Sequence, residues 1–191
     1  MTTKDLIVNS SYTSWGKRFK KDGQLFVDLL RGQEKSKIAT FGESTAKAFD
    51  TTATVGEQQW NLSFDIAGTA TATLPDGRVF KAQVVDKGFS HAKRITIDMA
   101  GVEMTAINEE KANWIIDDAN EQKVAQFSGV NNGMRASVLE FEEGSTVSAE
   151  QEVFLSWIAR KTLESRMLGS SWGLTIFLII LTPFIIFMTF I

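Results

Sequence analysis

Residues 59–66 read QWNLSFDI, and their alternation decides the fold class. Trp60, Leu62, Phe64 and Ile66 fall on one side of an extended chain and Asn61, Ser63 and Asp65 on the other, the period-2 mark of a strand buried on one face. The same texture continues downstream. Residues 69–74 are followed by Pro75-Asp76-Gly77, where proline presets φ and glycine supplies the positive φ of a tight turn. Residues 78–86, 93–99 and 102–108 read as further strands, the last two joined at Ala100-Gly101. Residues 113–117, an acidic turn at 118–121 and residues 122–128 come next. Asn131-Asn132-Gly133 is a hairpin signal leading into residues 134–141. Short strands at this spacing predict a mainly β fold, an antiparallel barrel or sandwich. Upstream, residues 24–30 (QLFVDLL) fit a strand or a short helix equally well.

After residue 147 the period changes. Ser148-Ala149-Glu150-Gln151 has the form of a capping box, in which the serine hydroxyl and the Gln151 amide each take a free backbone N–H. Val153, Phe154, Trp157, Ile158 and Leu163 then fall mainly on one helical face, with Glu152, Arg160 and Glu164 elsewhere, so a packing helix is expected over 149–166. The expected organisation is a β-rich domain over 1–147, an amphipathic helix of that domain over 148–167, and a flexible joint at 168–171. A single transmembrane helix follows over 172–191.

That last expectation rests on WGLTIFLIILTPFIIFMTFI (172–191), which carries no charge. A helix of about 20 residues rises roughly 30 Å, the thickness of a bilayer's hydrocarbon core. The alternative is a core helix that is apolar all round, which a domain of this size seldom surrounds completely. With nothing after Ile191, the span reads as a tail anchor in the cell membrane. Arg160, Lys161 and Arg166 precede it, so the N-terminal domain is expected in the cytoplasm, with these cations at the membrane surface. Trp172 suits the interfacial aromatic layer, and Gly173, Thr175, Thr182 and Pro183 are candidates for packing on neighbouring helices.

The stretch NWIIDDANEQKVAQFSG (113–129) pairs an aromatic-led strand, an acidic turn and a strand of small apolar residues. Together with the helix SAEQEVFLSWIARKTLES (148–165) it resembles the superfamily of Tubby, LURP-one-related and phospholipid-scramblase proteins, over roughly residues 60–166. The resemblance implies a β-barrel closed around one largely apolar helix and an association with membranes. The cysteine-rich and proline-rich segments of scramblases have no counterpart, since the chain has no cysteine and only Pro75 and Pro183. No basic phosphoinositide pocket of the Tubby kind maps onto it residue by residue.

Chemistry is sparse. His91, in GFSHAKR, is the only imidazole and reads more readily as a loop residue than as a catalytic base. No phosphate loop, metal-ligand spacing or dinucleotide fingerprint is present. The pairs Glu109-Glu110, Asp117-Asp118 and Glu142-Glu143 fall at turns, where solvated acids belong. No catalysis, cofactor or metal is therefore expected. A formal charge of −3 argues against a nucleic-acid partner. One cluster stands out: Trp15, Lys17, Arg18, Phe19, Lys20 and Lys21. Cations interleaved with aromatics suit an anionic phospholipid surface, and equally a solvated strand end before Asp22-Gly23.

Two functions follow from these readings. The first is a non-enzymatic, tail-anchored accessory subunit held against integral membrane protein subunits of a larger complex, a bacterial respiratory or transport assembly being a natural host. The second is a lipid-binding module handling phospholipid at the cytoplasmic membrane face. An apolar cavity left open by the domain's own helix separates them.

Overall fold

The computed structural model describes residues 11–110, 112–129 and 137–189. Their strands run β1 (Tyr12–Lys21), β2 (Gln24–Arg31), β3 (Ser36–Glu43), β4 (Ala48–Val55), β5 (Gln58–Asp65) and β6 (Thr69–Thr73). The series continues through β7 (Val79–Gln83), β8 (Arg94–Met99), β9 (Val102–Glu110), β10 (Asn113–Asp118), β11 (Lys123–Ser128) and β12 (Val138–Phe141). Each pairs antiparallel with its sequence neighbours, and β12 returns to β1 through Tyr12↔Glu140 and Thr13↔Leu139, closing the barrel. Closure removes the free edges that an open sheet exposes. Of the two architectures the alternation allowed, the chain forms the barrel. Residues 24–30, ambiguous in sequence, lie in strand β2, between β1 and β3. The Asn131-Asn132-Gly133 hairpin lies outside the described residues, as does the start of the strand expected from Met134.

Inward positions alternate large and small. Trp60, Leu62 and Phe64 on β5 face inward, as do Phe80 on β7, Ile95 and Ile97 on β8 and Trp114 on β10, all buried. Beside them stand Ala53, Ala70, Ala72, Ala82, Ala106 and Ala125, also buried. Barrel diameter grows with strand number, and about eight strands is the size that side chains alone can fill. Twelve strands lined with alanine therefore leave room for a helix about 10 Å across.

That helix is α1 (Ala149–Thr189). Its capping box forms: Ser148 N–H donates to Gln151 Oε1 at 2.9 Å and Gln151 N–H to Ser148 Oγ at 3.3 Å. From Val153 to Leu163 every side chain is buried. Phe154 packs edge-on to Phe80 at 5.6 Å between centroids, and Trp157 edge-on to Phe64 at 6.3 Å. Near the helix start, Ser156 Oγ bonds Glu152 O and Thr13 Oγ1, both at 2.7 Å. The helix is thus wrapped on all sides, where the sequence suggested one packed face.

The backbone stays helical through 168–171 and on to Thr189, 41 residues in one element, with Pro183 inside it. This corrects the expected fold class, which ended in a separate transmembrane helix behind a flexible joint. Among the described residues no helix is long and apolar enough to cross a membrane. The physical reason for the missing joint is cooperativity. Once the barrel fixes the first half of α1, adding residues carries no nucleation cost, so Gly169, Ser170 and Ser171 are too weak to break it.

Candidate functional site

Helix α1 gives the barrel two unlike ends. At the proximal mouth the helix begins: Arg78, beside the β6–β7 turn, reaches Glu150 at 2.8 Å, and Arg31 at the end of β2 makes a two-pronged ion pair with Glu152. At the distal mouth the helix leaves, with Leu163 against Gly129 and Met167 exposed.

The distal mouth holds a half-buried ionic cluster. Arg160 and Glu43, only 2% and 4% exposed, pair at 2.6 Å. Arg18 also bonds Glu43, and reaches Glu164 at 3.1 Å. Glu164 further accepts from Arg160 at 3.0 Å and Lys161 at 2.8 Å. Burial alone would raise the Glu164 carboxyl, but the charges of Lys161, Arg160 and Arg18 outweigh it and hold the group below its ordinary value. Aromatic faces complete the setting. The Arg160 guanidinium lies 4.6 Å from the Trp15 ring centre, and the Lys161 ammonium 5.1 Å from that of Phe49. Beside the cluster a cleft of about 220 Å³ opens between Phe49, Phe64, Ile66, Lys161 and the loop carrying Ser44 and Thr45.

Arg18 joins this cluster because of a β-bulge. The β1–β2 register shifts between Trp15 and Arg18. Simple alternation from Trp15 would aim Lys17 inward; the extra residue turns Arg18 inward instead and leaves Lys17 outside. The predicted surface group therefore separates. Lys17, Phe19, Lys20 and Lys21 are exposed on the β1–β2 hairpin, with Phe19 stacked on Phe26 at 5.9 Å. Trp15 lies in the core, edge-on to Phe41 at 5.2 Å. Arg160 and Lys161, expected at a membrane surface, are buried in the cluster. Arg166 caps the Trp114 ring at 4.8 Å and donates to Ala92 O at 2.6 Å and Asn108 Oδ1 at 3.0 Å, with burial lowering its pKa. On the helical extension, the Thr182 hydroxyl donates to Leu178 O at 2.6 Å and Pro183 is exposed. The side chains of Trp172 and Thr175 and the surroundings of Gly173 lie outside what the structure describes. Sequence reasoning missed Glu43 and Glu164; a lone acid at a strand end and another on a helix give no hint that they meet.

Charge is divided along the barrel axis. The proximal turns carry Glu57, Asp76, Asp98, Asp117, Asp118, Glu121, Glu142 and Glu143 against Lys35, Arg78 and Lys123. Backbone N–H groups of the turns hold Asp76 and Asp118 below the ordinary carboxylate range. At the distal rim Lys17, Lys20, Lys21, Lys47, Lys87, Lys93 and Arg94 outnumber Asp22, Asp50, Asp65, Asp86, Glu109 and Glu110. His91, exposed in the β7–β8 loop, bonds through its backbone N–H to Gly88 O at 3.3 Å. Among the described residues no group of three His, Cys, Asp or Glu is placed to hold a metal ion. Beyond the rim, Phe177, Leu178, Ile179 and Ile180 are 51 to 68% exposed. Four successive helical residues span about 300° of the circumference, so this segment is apolar all round.

The chain matches no protein-family model, no curated protein and no solved structure.

Proposed function

We propose that this protein is a non-enzymatic accessory subunit that attaches to a larger membrane-associated assembly through the extension of α1. The observation that carries the reading is one helix with two environments. Its first half fills the barrel with Phe154, Trp157 and Ile158, and its second half exposes Phe177, Leu178, Ile179 and Ile180. Exposed apolar side chains on every side of a helix require apolar cover on every side, which a bundle of integral membrane protein helices supplies. A barrel that handles lipid inside itself needs an open apolar chamber, whereas Phe154, Trp157 and Ile158 fill the middle of this one and leave a cleft of about 220 Å³ at the distal mouth. The resemblance to Tubby and scramblase proteins supports the same reading at the level of architecture, a barrel around a helix, and lends no site.

The test is a mild-detergent pull-down of the full chain from native membranes, paired with Ile179→Asp/Ile180→Asp. The reading expects stoichiometric membrane protein subunits that survive a salt wash and are lost with the double variant, while the barrel keeps its near-ultraviolet spectrum. A chain recovered without stoichiometric protein, or partners retained by the variant, overturns it.

A further inference from the structure

We infer that the distal rim of the barrel is a contact surface for anionic phospholipid headgroups, engaged by charge density rather than by recognition of one headgroup. The division of charge is the first ground. The protein is acidic overall, at −3, yet the mouth through which α1 leaves is the basic one, and the acids gather at the opposite end. A negatively charged surface would therefore orient the barrel distal end first, before any short-range contact forms. The second ground is the bulge between Trp15 and Arg18. It turns Arg18, still 36% exposed, toward Glu43 and Glu164 in the cluster and leaves Lys17, Lys20 and Lys21 outside, with no ion pair among the described residues. Phe19, 38% exposed, stands among them and offers a ring to the interfacial layer.

The third ground lies across the barrel. The strand order places the β1–β2 hairpin six strands from β7, on the opposite side of the ring. There the β7–β8 loop presents Val85, 83% exposed, and Lys87. This loop is tied down by bonds from Val84 N–H to Gly68 O at 2.8 Å and Phe89 N–H to Ile66 O at 2.9 Å. Each side of the mouth thus pairs an exposed apolar side chain with exposed lysine, and the apolar helix leaves between them. The lysines stand on an exposed hairpin rather than in a concave pocket, so nothing grips a particular headgroup. Asp22 and Asp86 lie within the two patches and temper the attraction.

The inference concerns the rim and is tested on the isolated chain, so it stands or fails apart from the protein partner proposed for the helix. The experiment is flotation of the purified full-length protein with vesicles of phosphatidylcholine alone, or containing phosphatidylserine or phosphatidylglycerol in equal amount. Binding should rise with either anionic lipid to the same degree and fall with added salt. Lys17→Gln/Lys20→Gln/Lys21→Gln should weaken anionic binding by on the order of 100-fold. Lys35→Gln/Lys37→Gln/Lys123→Gln, the same charge change toward the acidic end, should leave it nearly unchanged. Equal losses from both triple variants would reduce the effect to net charge and overturn the inference. So would binding indifferent to anionic lipid, or a strong preference between phosphatidylserine and phosphatidylglycerol.

Discussion

Replacing Glu43 by glutamine removes a charge from the least accessible part of the ionic cluster. The cluster joins three cations, Arg18, Arg160 and Lys161, to two carboxylates, Glu43 and Glu164. Glutamine keeps the shape but leaves three positive charges facing one negative charge. Arg160, 2% exposed, cannot turn to water. Breaking a buried pair in this way costs about 3–5 kcal/mol, most of it from the stranded partner. For a chain of this length that corresponds to a fall in Tm of about 6–20 °C. Arg160→Met should be milder despite removing the more buried member. Glu43 then still has Arg18, two cations face two carboxylates, and the main loss is the guanidinium on the Trp15 ring, about 0.5–2 kcal/mol. Urea unfolding followed by tryptophan fluorescence reports both variants, since Trp15, Trp60, Trp114 and Trp157 are all buried. Glu43→Gln within about 1 kcal/mol of the parent, or Arg160→Met costlier than Glu43→Gln, would refute the charge-balance reasoning.

Trp157→Ala empties the middle of the barrel and should cost about 3–5 kcal/mol by the same unfolding assay, whereas Val79→Ala on the outer wall should be nearly silent. Ser148→Ala removes one half of the capping box and should cost about 1 kcal/mol, with Ser148→Asp restoring it. The folded-state pKa of Glu164 is depressed, so its contribution is present above the unfolded value and is lost as pH falls through the folded one. Stability should therefore drop below about pH 4.3, and Glu164→Gln should be weaker at neutral pH but show a shallower acid decline in urea titrations.

The β-character was legible because alternation and turn residues are local signals: 59–66 and the Pro75-Asp76-Gly77 turn report their conformation without help from the rest of the chain. The capping box was legible for the same reason. What escaped was anything set by contacts distant in sequence. Closure needs β12 to find β1, and no residue in either strand announces it. The bulge that reverses Lys17 and Arg18 appears only once β2 is laid beside β1. Arg160 reads as a surface cation because its carboxylate partner Glu43 lies 117 residues away along the chain, and Lys161 because the barrel wall that buries it leaves no local mark in the sequence. The division of α1 into two helices failed because local breakers were weighed without the barrel that nucleates the first half.

The central claim, that α1 is core in its first half and docking element in its second, is tested most directly by site-specific photo-crosslinking in the native cell. A crosslinker at Ile179 or Ile180 should trap one discrete polypeptide, and the same group at Val79 on the barrel wall should not. Products confined to lipid, or an identical polypeptide captured from the wall, would contradict the account.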